Sequence, residues 1–183
     1  MRTDRVVPQA LRRDTNVQGY ILFLAVFWFI GGHLLAAAGD AQHMRIPNRL
    51  ILFLAAGFAV TAVLTQPGWT DLAASLATGA AILAGGAILF ARGWMGGGDV
   101  KLLAVTGLWL GPAATPALLL LTALAGGLLT LIIIACHALG ADRLAAGRIA
   151  ALRPPLDRVP YGIAIAAAAI AVAFLQPEAL LPG

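Results

Sequence analysis

The chain has 183 residues, 61% of them hydrophobic and 11% charged, with a mean hydropathy of +0.91. A soluble domain carries roughly a quarter charged residues, so an apolar excess spread along nearly the whole chain excludes one and indicates a polytopic membrane protein. The net charge of +4 is no nucleic-acid footprint, because the bases fall in short connections between apolar runs, where they report orientation.

Residues 1–19 read as a polar tail carrying Arg2, Arg5, Arg12 and Arg13, with no cleavable signal pattern. The first span runs from Tyr20 to Gly39, about 30 Å of helix, and ends at Asp40. Asp40 to Arg49 reads as a polar loop, with Ile46-Pro47-Asn48 marking a helix start. The second span is Leu50 to Thr65, and a turn from Gln66 to Asp71 leads to the third, Leu72 to Ala91. Arg92 to Gly98 is a glycine loop. The fourth span, Asp99 to Leu110, offers only about 18 Å before Gly111-Pro112, so Asp99 is expected below the membrane surface. Ala114 to Leu139 is the fifth span, Gly140 to Pro160 a long basic connection, and Tyr161 to Leu175 the sixth span. The expected fold is all-α, with six transmembrane helices in residues 20–183.

Alternating spans place the connections after spans one, three and five on one side. They carry Arg45, Arg49, Arg92, Arg143, Arg148, Arg153 and Arg158, with Lys101 just inside span four; the other connections hold no Lys or Arg. The positive-inside rule makes the basic side cytoplasmic, which puts Asp40 and Asp99 at the cytoplasmic face. The four tail arginines argue the other way, but long tails weigh less than short loops.

Ionisable groups at membrane depth are costly and point to function. Asp99 follows Gly96, Gly97 and Gly98, and it opens span four where an N-capping aspartate would also sit. Three glycines allow positive φ and close approach of a peptide backbone, so a side chain at Gly98 should harm more than one at Gly57 within span two. Asp40 is ordinary alone, but on the same face as Asp99 it becomes that group's partner. Two close carboxylates cannot both ionise cheaply, so the pair shares a proton, as in an aspartyl protease. His33, seven residues before Asp40, reads first as a hydrogen-bonded packing residue and second as support for the aspartate. Lys101 either snorkels to the interface or tunes the field of the site. Asp71, Asp142, Asp157 and Glu178 read as loop, capping or terminal charges, and His43 and His137 receive no role. The single cysteine, Cys136, permits neither an intrachain disulfide nor a Cys-x-x-Cys zinc site, so neither metal nor other cofactor is expected.

Gly96-Gly97-Gly98-Asp99-Val100-Lys101-Leu102 resembles the G-x-G-D-x-K-L signature of type IV prepilin peptidases, a branch of the GxGD intramembrane aspartyl proteases. Asp40 with Ile46-Pro47-Asn48 resembles that family's first aspartate and its I-P-N. Val159-Pro160-Tyr161-Gly162 resembles its P-Y-G opening of the last helix. The short length is similar to the peptidases of tight-adherence (Flp-type) pilus systems. The resemblance implies catalysis by Asp40 and Asp99. It implies an active-site or substrate-binding region of Gly96, Gly97, Gly98, Lys101, Pro160, Tyr161 and Gly162. The implied substrate is a prepilin or pseudopilin with a short basic leader before an apolar helix, cut at the cytoplasmic face of a bacterial inner membrane. Larger relatives carry a zinc domain with paired Cys-x-x-Cys motifs and also N-methylate the pilin; with neither those cysteines nor room for that domain here, the resemblance implies peptidase activity and methylation is not expected. The alternative is a small transporter or proton channel, whose acidic groups should lie at several depths or on both faces.

Overall fold

The computed structural model describes residues 9–139 and 159–181, and all of the regular structure there is helical. The connection carrying Arg143, Arg148, Arg153 and Arg158, together with Asp142 and Asp157, lies outside the described residues, as does the start of the tail. Helix α1 spans Gln9–His43, α2 Asn48–Thr65, α3 Trp69–Ala91, α4 Gly97–Ala138 and α5 Tyr161–Leu175; a 3₁₀ turn, Pro177–Leu180, follows. Among the described residues, four stretches are long and apolar enough to cross a membrane: Val17–His43, Asn48–Thr65, Trp69–Ala91 and Gly97–Cys136; α5 is a shorter apolar helix.

Two of these boundaries, both of α1, differ from the sequence reading. Helix α1 begins inside the stretch read as a tail, because nothing between Gln9 and Gln18 breaks a helix. It also runs past Gly39 to His43, so Asp40 is a helical residue and not part of a loop. It ends where Met44 turns left-handed at φ 53°, its N–H donating to Asp40 O at 2.9 Å. The expected fourth and fifth spans form one helical stretch interrupted at a single residue, Gly111, at φ 65° and ψ −176°. A glycine is needed for that φ, and Pro112 then restarts the helix where its missing N–H costs nothing.

The break is a reversal. Val100 in the first arm packs on Gly86, and Leu108 on Gly79, so that arm runs antiparallel to α3. In the second arm, Ile133 clusters with Met44 and Val159, back at the end of the bundle where α4 began.

The core gathers Phe29 of α1, Leu54 and Phe58 of α2, Leu102, Trp109 and Leu118 of α4, and Ile165, Ala169 and Val172 of α5. Trp109 meets Phe29 and Phe58 edge-on, at centroid separations of 5.5 and 6.0 Å, and its indole N–H donates to Leu54 O at 2.9 Å. Helix α5 is the most enclosed element although it is the shortest of the five. Its alanines carry too little side chain to hold neighbours apart, so α1 and α4 close on it from two sides. Helices α3 and α4 turn long rows of leucine outward, as lipid contact requires. Gly57 is not the tolerant position expected: a β-carbon there would stand 2.6 Å from the Trp28 indole, which is held by its N–H bond to Phe53 O at 2.8 Å.

A candidate aspartate-pair site

Asp40 enters the site from the last turns of α1 and is 4% exposed; Asp99 enters from the first turn of α4 and is half-buried. Both line one cavity of about 1010 Å³, together with Gly39, the segment from His43 to Asn48, the loop from Gly93 to Gly98, and Tyr161. A carboxylate this deep needs donors, and helix N-termini supply them without a counter-charge. The Gly162 amide of α5 donates to Asp40 Oδ2 at 2.8 Å, and the Ile163 amide faces the same carboxyl group. Asp99 lies within electrostatic reach of Asp40, and the amides of Gly96 and Gly162 face it. The Gly162 N–H is thus bonded to Asp40 and within electrostatic reach of Asp99.

The local sequence explains each placement. Helix α4 starts at Gly97, which makes Asp99 the third helical residue and not the N-cap that its position after the glycines suggested. Its side chain turns back toward the Gly96 amide, as the acidic member of a capping box does. Within the glycine loop only Gly93 takes a positive φ, 74°. The others are required for space. A β-carbon at Gly96 would stand 2.6 Å from Asp99 Oδ2, and one at Gly98 would stand 3.2 Å from Ile46 Cβ. On the opposite wall, Pro160 at φ −73° and ψ 80° centres a tight turn in which the Tyr161 N–H donates to Val159 O at 2.8 Å. That turn starts α5 and aims its first free amides at Asp40. A β-carbon at Gly162 would lie 2.8 Å from Asp40 Oδ2 and 2.9 Å from Ile46 Cδ1.

The remaining residues singled out in the sequence divide. Gly96, Gly97, Gly98 and Tyr161 line the cavity; Pro160 is buried behind it and shapes the turn. Lys101 does not line the cavity. Its Nζ donates to Asn48 Oδ1 at 3.0 Å, tying the start of α4 to the start of α2. His33 is fully buried and does not serve Asp40. Its Nδ1 lies 2.7 Å from Phe29 O and its Nε2 2.8 Å from Thr106 Oγ, so it joins α1 to α4 as a packing residue. Among the described residues no three His, Cys, Asp or Glu side chains come together to hold a metal. Sequence reasoning gave no role to Ile46, which wedges between Gly98 and Gly162, nor to Trp94, which lines the cavity with Arg92 over its ring at 5.3 Å. Ile46 was visible only as the first letter of I-P-N.

Compared with known proteins, residues 20–131 match the model of the Type IV leader peptidase family. A prepilin leader peptidase/N-methyltransferase of Bacillus subtilis (strain 168) is 33% identical over 162 residues, which is 87% of this chain and 58% of the relative. The chain thus spans less than two thirds of that protein's length. No solved structure matches significantly. Both aspartates and the reversal at Gly111 fall within the matched stretch, and on this match the chain belongs to the type IV leader peptidase family.

Proposed function

We propose that this protein is an aspartic endopeptidase that removes the basic leader of Flp-like type IV prepilins at the cytoplasmic face of a bacterial inner membrane. The observation that carries the reading is that Asp40 and Asp99 line one cavity, with the Gly162 amide bonded to Asp40 and within electrostatic reach of Asp99. Asp40 and Asp99 share a proton. The ionised member takes a proton from water, which attacks the scissile carbonyl, while the protonated member donates to the carbonyl oxygen. Gly96, Gly97 and Gly98 leave the wall beside Asp99 free of side chains, so the extended substrate approaches the pair closely. Tyr161 borders the substrate on the other side. Lys101 acts at one remove, by fixing the α2 and α4 termini through Asn48. A proton relay through the membrane is less well supported, because the two deep carboxylates face each other at one end of the bundle.

The two arms of α4 serve as the fourth and fifth crossings and α5 as the sixth. The first arm, residues 97–110, provides only about 21 Å of helix, whereas the second continues about 18 Å beyond Gly126, where it touches Tyr161. Both lengths support a site recessed below the cytoplasmic surface.

Leader removal is tested by co-expression with a pilin precursor and a gel-shift readout, with mass spectrometry of the mature N-terminus. The expected product is shortened and unmethylated. An uncut precursor overturns the peptidase, and a methylated terminus in a strain without other prepilin peptidases overturns the restriction to peptide cleavage.

Orientation is tested in a Cys136→Ala background. Gln66→Cys, between α2 and α3, should react with a membrane-impermeant thiol reagent in intact spheroplasts, and Arg92→Cys, after α3, only after lysis. The reverse pattern would put the aspartates on the outer face, out of reach of a cytoplasmic leader.

A further inference from the structure

Helices α2 and α3 are joined by only three residues at the end of the bundle away from the aspartates, yet they hardly touch each other; α3 packs on α4, and α2 packs on α1 and, less extensively, on α4. They diverge from that connection and leave an apolar cleft of about 310 Å³ between them. Its walls are Ile51 and Ala55 of α2 and Leu76, Ala80 and Leu83 of α3, and its floor is the first arm of α4 from Lys101 to Leu108. At one end stands Lys101, bonded to Asn48, and Asn48 lines the aspartate cavity. The Lys101–Asn48 bond therefore links the rim of the cleft to the rim of the aspartate cavity.

From this continuity we infer that the cleft docks the apolar helix that follows the cut bond of the substrate; the inference rests on the proposed peptidase reading. A chain lying in both spaces has its extended segment beside Asp40 and Asp99 and its next residues directed along the first arm of α4 toward the α2–α3 connection. That is the polarity of a leader followed by a membrane helix. The cleft is too small to enclose a helix some 10 Å across, so the helix lies along its mouth and inserts side chains between α2 and α3. The small side chains of Ala55 and Ala80 on the walls and Ala104 on the floor let its backbone come close. A lipid chain would fill the apolar space, but nothing would require it to continue into the aspartate cavity.

A photoreactive benzoylphenylalanine in place of Ala80, which lines the cleft, is compared with one in place of Ala81, exposed on the same helix but outside the cleft. Both are made in the Asp99→Asn protein and co-expressed with a tagged pilin precursor that has a basic leader and an apolar helix. Irradiation should link position 80, and not position 81, to the first turns of the precursor's helix. In the otherwise unaltered protein, Ala80→Trp should slow processing about tenfold, and Ala81→Trp should leave it unchanged. Adducts only to phospholipid or to a second copy of the peptidase, equal adducts from both positions, no adduct, or wild-type processing by Ala80→Trp would overturn the dock. Failure of the peptidase reading is read separately, as an uncut precursor with the unmodified enzyme.

Discussion

Asp40→Asn and Asp99→Asn are each expected to lower the rate of leader removal by roughly a thousandfold, the scale of lost general acid–base catalysis. Each change keeps nearly the same shape, and Asp40→Asn leaves an amide oxygen to accept the Gly162 N–H, so the helices should still assemble. What disappears is the second carboxyl group and with it the shared proton. Double substitution should cost little more than either single one, because the two groups act as a unit. The measurement is the first-order rate of precursor conversion at matched peptidase levels in membranes. Processing by either variant within a few-fold of wild type would remove that residue from the chemistry.

The second large effect is expected at a residue with no side chain. Gly162→Val places branched carbon where a β-carbon already stands 2.8 Å from Asp40 Oδ2 and 2.9 Å from Ile46 Cδ1. Either the carboxyl group is pushed off the amide or the start of α5 backs away from α1. Both separate Asp40 from the amide that Asp99 also faces. Processing should fall about a hundredfold or more with membrane insertion intact. Gly85→Val in α3, where a β-carbon meets nothing within 4 Å, should process normally and reports the general cost of valine in a membrane helix. Equal rates for the two variants would show that Gly162 provides nothing beyond a chain connection.

The membrane character of the protein and the two aspartates were legible in the sequence. Hydrophobic length is a one-dimensional property, and a carboxylate embedded in such a run declares its own cost wherever the helices later go. The glycine loop was legible as a close approach, but what approaches was not. Gly98 makes room for Ile46, more than fifty residues earlier, and Gly96 for its own neighbour Asp99. The end of α1 was misread at Asp40 for one reason. Polar residues at a membrane edge look like loop when their partners are unseen, and here those partners are the first amides of α5, over a hundred residues beyond Asp40. The break after Leu110 and the return of the chain were expected from Gly111-Pro112, and the packing of Ile133 beside Met44 and Val159 shows where the returning arm sits. His33 followed the same logic: its place on α1 was readable, and its partner Thr106 was not. Local pattern determined which segments are helices and which residues are costly. Tertiary structure decided which helix end meets which carboxylate, because an amide without a partner and a charge without water are satisfied only by groups from elsewhere in the chain.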